Sequence, residues 1–255
     1  PRSGGTSLNV TDQLRPELMA IFTIEGGVQL KGTLEPQGAK NEALQVMCAT
    51  LLTDQEVIIA NVPEIRDVLN LMDLLRGIGA EITRLEKGRY RFSTVQIREE
   101  YLHSKDFSLL AAGIRGSIMM LGPLLARLGH GYIPQPGGDK IGRRRVDTHF
   151  LGFQALGAIF NFDRENHRFS VKAAKLKGNY ILMEEASVTG TANLIMAAVL
   201  AEGTTTLYNA ACEPYVQQLC RMLISMGASI QGIGSNLLTV NGVNSLSGCV
   251  HTILP

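Results

Sequence analysis

Residues 50–82 read TLLTDQEVIIANVPEIRDVLNLMDLLRGIGAEI, and residues 198–230 read AVLAEGTTTLYNAACEPYVQQLCRMLISMGASI. At an offset of 148 residues they match at Leu52 and Leu200, at Asn61 and Asn209, and at Gly79-Ala80 and Gly227-Ala228. A third copy lies between them, from Pro123-Leu124-Leu125-Ala126 to Leu156-Gly157-Ala158-Ile159. Self-similarity of this kind writes one supersecondary unit several times, and extra residues in one copy map to a loop on the scaffold. The middle copy carries about five extra residues, and they fall around Pro136-Gly137-Gly138-Asp139-Lys140-Ile141-Gly142-Arg143-Arg144-Arg145-Val146-Asp147-Thr148-His149.

Each copy reads alike. An apolar helix comes first, over 41–52, 116–127 and 191–201. A short strand follows, such as Glu56-Val57-Ile58-Ile59 or Thr205-Thr206-Leu207-Tyr208. Next is an amphipathic helix, with Val68, Leu71, Met72, Leu75 and Ile78 spaced three and four apart. Gly79 and Gly227 read as helix stops, and an alternating hairpin closes the unit. The spacing therefore predicts an α/β (α+β) fold, β-α-β-α-β-β three times. The first helix of each copy is apolar nearly all round, so the three are expected to be buried together with the sheets outside.

The bulk composition restricts the function. There are 24 basic and 23 acidic side chains, a formal net charge of +1, which argues against a nucleic-acid coat or a membrane-surface binder. No stretch of 18 uncharged apolar residues occurs, so no membrane span is expected. The cysteines Cys48, Cys212, Cys220 and Cys249 show no Cys-x-x-Cys spacing, and no metal site is expected of them. Cys48 and Cys220 fall inside apolar helical patterns and are predicted to be buried thiols, which suits a reducing cytoplasm. Residues 1–18 lack periodicity and read as a tag or other non-native leader.

With so balanced a charge, any anion site must be a local cluster. Gln37-Gly38-Ala39-Lys40-Asn41, Gly113-Ile114-Arg115-Gly116-Ser117 and Ala186-Ser187-Val188-Thr189-Gly190-Thr191 open the first helices of the three copies. Helix N-termini present unpaired N–H groups and a positive dipole end, and in a threefold arrangement all three can face one end of the domain. Lys40, Arg115 and Arg144 would add full charges. Ser187 and Thr189 read first as N-caps, and His149 as a satisfied helix histidine. Gly38-Ala39-Lys40 lacks the glycine spacing of a P-loop, and no Ser-His-carboxylate order suggests a nucleophilic triad.

Together, Gly38-Ala39-Lys40-Asn41-Glu42-Ala43-Leu44, the 136–149 loop, Ser187-Val188 before a helix and Ala201-Glu202-Gly203-Thr204-Thr205 resemble the UDP-N-acetylglucosamine enolpyruvyl transferases. The similarity runs over about residues 20–255. It implies an inside-out α/β barrel and transfer of the enolpyruvyl group from phosphoenolpyruvate to the 3-hydroxyl of UDP-N-acetylglucosamine, for peptidoglycan synthesis, without a cofactor. By the resemblance, Lys40 and Asn41 match the phosphoenolpyruvate-contacting pair. Arg115 and Arg144 match arginines of the anion cluster. Arg144, Arg145, Val146, Asp147 and Thr148, with His149 beside them, match the segment lining the UDP-sugar. Glu185, Ala186, Ser187 and Val188 match the segment on the diphosphate side.

The chain departs from the family's usual pattern at three points. Where most members carry a loop cysteine as proton donor, this chain has Asp139, the expected general acid. Fosfomycin inactivates the cysteine enzymes by alkylating that thiol, so insensitivity is expected. Arg145 and Thr148 replace a usual proline and leucine. The family is also about twice this length and its fold is split. Residues 19–38 are therefore expected to be strands of a second domain that the chain mostly lacks, and 39–254 a complete three-repeat domain, inactive alone. Two other functions compete: a repeat domain binding a nucleotide sugar without turnover, and the shikimate-pathway enolpyruvyl transferase. The latter carries a Pro-Gly-Ser-Lys-Ser type motif where this chain has Gln37-Gly38-Ala39-Lys40-Asn41. An RNA 3′-phosphate cyclase relative would need an adenylylated-histidine motif that is not found.

Overall fold

The computed structural model describes residues 23, 26–27, 29–135 and 145–255. The chain divides into two units, Pro1–Glu35 and Pro36–Pro255. In the first, residues 29–35 form neither helix nor strand.

The second unit carries the repeat. Its first copy runs α1 (Lys40–Ala49), continued by a 3-10 turn Thr50–Leu52, then β1 (Val57–Ala60), α2 (Arg66–Ile78), β2 (Glu81–Glu86) and β3 (Arg89–Ser93). A short helix α3 (Lys105–Ala112) leads to the second copy: a 3-10 turn Arg115–Met120, α4 (Leu121–Leu128), β4 (His130–Pro134), α5 (Asp147–Ala155), β5 (Ile159–Asp163) and β6 (Arg168–Lys172). The third copy is β7 (Tyr180–Leu182), α6 (Val188–Ala198), β8 (Thr204–Tyr208), α7 (Pro214–Ser225), β9 (Ser229–Gln231) and β10 (Leu237–Asn241), and β11 (Cys249–Thr252) ends the order.

The first and third central helices form as the sequence predicts, while the second, expected over 116–127, opens as the 3-10 turn Arg115–Met120 and is α-helical only from Leu121. In α1 every residue from Glu42 to Ala49 is buried, and in α6 every residue from Gly190 to Ala198. Helices this apolar are stable only when surrounded. The neighbouring α4 meets α6, which also touches α5 and α7, while α1 lies against α7. The amphipathic α2 buries Val68, Leu71, Met72, Leu75 and Ile78, the predicted stripe. Gly79, Gly157 and Gly227 follow the second helix of the three copies with φ of 116°, 92° and 104°, a left-handed stop that residues with a Cβ rarely adopt. Cys48 and Cys220 are buried thiols, and burial pushes Cys220 up to about 12.

Topology corrects the unit. The sheets are β11-β1-β3-β2, β7-β8-β10-β9 and β4-β6-β5. Among the described residues only the third copy is β-α-β-α-β-β in chain order. The first takes its leading parallel strand from the far end of the chain, with Val57 opposite Cys249 and Ala60 opposite Thr252. The second has no such strand among the described residues, and α3 precedes its first helix instead. Period-two patterns cannot reveal that a strand's partner lies some 190 residues away. Among the described residues no ladder joins one sheet to another, and the outer layer there is three sheets around the buried helices.

Candidate functional site

The three helix starts meet. A cavity of about 380 Å³ is lined by Lys40 and Asn41 from α1, by Ile114 and Arg115 ahead of α4, and by Val188 and Thr189 from α6. None of these starts but the third is side-chain capped: Ala39 and Ile114 precede the first two, while Ser187 accepts from Gly190 N at 3.2 Å. The positive dipole ends of α1 and α6, with Lys40 and Arg115 beside them, make a place suited to an anion. Ser187 is thus an N-cap, as its residue type suggests, and Thr189 is not.

Lys40 is not idle. Its Nζ lies 3.0 Å from Oδ2 of Asp67, the second residue of α2, and both side chains are about half exposed. Asp67 also lines the cavity, as does Gln45, one turn into α1. The Gln45 side chain is 1% exposed, and its Oε1 has no hydrogen-bond partner. An unpaired buried acceptor is costly, about 1–3 kcal/mol, so a polar guest in the cavity would find a ready partner there. Neither Asp67, Gln45 nor Tyr215, also in the lining, stands out in the sequence. Each sits at an unremarkable helix position, and only the convergence of three copies gives it meaning.

A second group of the predicted residues gathers around the start of α5. Arg115 Nη2 donates to the carbonyl of Arg145 at 3.4 Å, which places the end of the 136–149 stretch beside the cavity arginine. The Arg145 guanidinium is taken by two carboxylates: Nε is 3.0 Å from both oxygens of Asp147, and Nη2 is 2.6 Å from Glu184 Oε2. These hydrogen bonds hold Asp147 below the usual carboxylate range and raise Arg145. A fork so engaged is a brace for the loop end and has little left for a phosphate. Thr148 Oγ1 donates to Glu185 Oε1 at 3.3 Å, tying α5 to the segment ahead of α6. Val146 precedes α5 as its N-cap position, and Ala186 is exposed.

His149 is 1% exposed, hydrogen-bonded to Thr189 Oγ1 at 3.1 Å and to Asn193 Nδ2 at 2.9 Å. Burial first, then the nearby Arg115 charge, pushes its pKa down to about 3. It is a neutral, satisfied helix histidine one layer beneath the cavity wall. α5 packs on α6 and on the middle sheet, where Phe150 stacks on Phe160 with ring centroids 4.1 Å apart. Asp139 and Arg144 lie outside the described residues. Among the described residues no group of three or more His, Cys, Asp or Glu is placed to hold a metal ion.

UDP-N-acetylglucosamine 1-carboxyvinyltransferase of Porphyromonas gingivalis is 54% identical over 237 residues, covering 93% of this chain and 55% of that protein. The protein of the same name in Bacteroides thetaiotaomicron is 55% identical over the same shares. The chain therefore spans about half the length of the curated relatives it matches. Among solved structures, the enolpyruvyl transferase NikO from Streptomyces tendae superposes with a TM-score of 0.76 at 19% identity, over 91% of this chain and 54% of that one. EPSP synthase from Acinetobacter baumannii does so with a TM-score of 0.67 at 18% identity, over 87% and 50%. These likenesses establish the fold. The model of the EPSP synthase (3-phosphoshikimate 1-carboxyvinyltransferase) family matches residues 24–255, so the chain belongs to that family.

Proposed function

We propose that this chain carries one face of an enolpyruvyl transferase site that moves the enolpyruvyl group of phosphoenolpyruvate to the 3-hydroxyl of UDP-N-acetylglucosamine and releases phosphate. The carrying observation is the cavity where three helix starts, Lys40 and Arg115 converge. Both substrates are anions, and the intermediate that joins them concentrates phosphate and carboxylate in one place. Fixed N–H dipoles and cations in a shielded cavity stabilise such charge without reorganising, which is typically the largest catalytic contribution. Lys40 and Asn41 would hold phosphoenolpyruvate. Arg115, with Arg144 from the loop, would complete the anion cluster. The segment from Arg145 to Thr148, with His149 behind it, and the one from Glu185 to Val188 would border the nucleotide sugar.

The sugar nucleotide is favoured over shikimate 3-phosphate by two observations. The curated relatives named UDP-N-acetylglucosamine 1-carboxyvinyltransferase match at 54–55% identity. The chain also has Gly38-Ala39-Lys40-Asn41 where the shikimate enzymes have a Ser-Lys-Ser type motif. Asp139 would act as general acid: protonated, it gives its proton to C3 of phosphoenolpyruvate as the sugar oxygen bonds to C2. The base that takes the sugar hydroxyl's proton would come from the facing half, in the length of the relatives that this chain does not cover. Such an enzyme would serve peptidoglycan synthesis, and the cytoplasm is its proposed compartment.

The test is phosphate release from phosphoenolpyruvate with UDP-N-acetylglucosamine or shikimate 3-phosphate as acceptor. It is run on this chain alone and on this chain fused to the remaining length of the Porphyromonas gingivalis relative. Release from the fusion with the sugar nucleotide alone is expected. Release with shikimate 3-phosphate would reassign the acceptor, and a folded fusion that releases nothing would overturn the proposal.

A further inference from the structure

Beneath the cavity lies a hydrogen-bond chain whose direction can be read without ambiguity. It begins at Gly122 in α4, whose backbone N–H donates to Asn193 Oδ1 at 2.6 Å. Asn193 Nδ2 donates to the carbonyl of Ile118 at 2.8 Å. An N–H on one side and a carbonyl on the other fix which end of the amide is oxygen and which is nitrogen. The second Nδ2 proton then points to His149 Nδ1, 2.9 Å away, so that nitrogen accepts and carries no proton. In the neutral imidazole the proton must sit on Nε2, which donates to Thr189 Oγ1 at 3.1 Å. The Thr189 oxygen is thereby an acceptor to His149, and its own proton must go elsewhere. Among the described residues no acceptor takes it.

The chain is built, not incidental. Asn193 is 0% exposed and His149 1% exposed. The approach of α4 to α6 depends on Gly122, where a Cβ would lie 2.3 Å from Asn193 O and 2.6 Å from its Oδ1. Thr189 lines the cavity with Lys40 and Arg115, and Gln45 there keeps a second unpartnered polar atom. We infer that the Gly122–Asn193–His149 chain orients the Thr189 hydroxyl as a fixed donor to an anionic oxygen held in the cavity. Thr189 is then a ligand-contacting residue, and His149 and Asn193 are positioning residues. The inference rests on the anion-binding part of the proposed function and extends it to one atom. A hydroxyl that could rotate between donor and acceptor would lose part of its binding energy in being ordered; here the ordering is done in advance.

Two measurements test it, using the whole chain. Nitrogen-15 spectra of labelled histidine, with the His149 signals assigned by their absence in His149→Gln, should show Nδ1 bare and Nε2 protonated from pH 5 to 8. An Nδ1-protonated tautomer would overturn the inference whatever the chain binds. Titration with inorganic phosphate and with phosphoenolpyruvate should show binding weakened about tenfold in Thr189→Val, which keeps the shape, and restored to within about twofold in Thr189→Ser. His149→Gln, which can accept and donate at the same two points, should bind nearly as the parent does, while His149→Phe should bind as weakly as Thr189→Val. Equal phosphate affinity in parent and Thr189→Val, or no binding of either anion, overturns it. Thr189-dependent phosphate binding without any affinity for UDP-N-acetylglucosamine would sustain this inference and sink the assigned acceptor.

Discussion

Asn61 and Asn209, at matching positions of the first and third copies, both adopt left-handed backbone, with φ of 55° and 60°. Their side chains do the same work. Asn61 Nδ2 donates to Ile253 O at 2.9 Å and Asn209 Nδ2 to Met183 O at 3.0 Å, each carbonyl belonging to the residue just past the parallel strand of its sheet. In one copy that strand is β7, close in sequence; in the other it is β11, at the far end of the chain. The asparagine that turns the chain out of β1 or β8 thus pins the neighbouring strand.

Replacing either residue separates the two effects. Asn61→Ala and Asn209→Ala should each cost about 2 kcal/mol, because alanine tolerates the left-handed region less well than asparagine and one hydrogen bond is lost. The glycine variants should lose only about half of that, since glycine adopts the conformation freely. Urea midpoints measured on all four variants check the order; glycine variants as unstable as alanine would contradict the backbone part of the account.

The buried imidazole gives a pH dependence with a definite sign. His149 is held at about 3 against an ordinary 6.5, chiefly by burial. Above about pH 6.5 the histidine is neutral both folded and unfolded, and its contribution is fully present. As pH falls, the unfolded chain takes up the proton and the folded chain does not until its own pKa is reached. Stability should therefore drop by about 1.4 kcal/mol per pH unit on account of this residue alone. Between pH 7 and pH 5 the parent should lose about 2 kcal/mol more than His149→Gln in urea unfolding.

At the cavity mouth, Asp67 competes with any anion for Lys40. An exposed pair of this kind is worth about 0.2–1 kcal/mol, so Asp67→Asn should tighten phosphate binding by up to about fivefold and leave stability nearly unchanged. Lys40→Ala should abolish the gain. Weaker binding in Asp67→Asn would mean that Asp67 positions the lysine instead of occupying it, and calorimetry distinguishes the two.

The carboxyl proposed as general acid should be a poor target for an epoxide. Incubation with fosfomycin should leave no covalent adduct at Asp139 by mass spectrometry, whereas Asp139→Cys should acquire one, because a thiolate is by far the stronger nucleophile. A time-dependent adduct on Asp139 in the parent would contradict this.

Much of this was legible in the sequence because the repeat states it more than once. Gly79 and Gly227 end matched helices, and the run from Leu194 to Ala198 can only be interior. The starts of α1 and α6 are written plainly in the sequence, whereas their convergence with Arg115 is a property of the fold. The β1–β11 pairing was not legible, since nothing local to Val57 names Cys249 as its partner. Nor were the ion pairs of Arg145 with Asp147 and Glu184, the second of them 39 residues away. Thr189 reads as an N-cap and Asn193 as an ordinary helix residue until Gly122 and Ile118 fix the direction of their hydrogen bonds.

The central claim is that one cavity at three helix starts receives the substrates. It is met most directly by calorimetric titration of this chain with UDP-N-acetylglucosamine, beside Lys40→Ala and Arg115→Ala. The account predicts binding to the parent, weakened about tenfold or more when Arg115 is removed, as expected for loss of a charge-assisted contact. No heat at millimolar ligand, or equal affinity in the parent and Arg115→Ala, would contradict it.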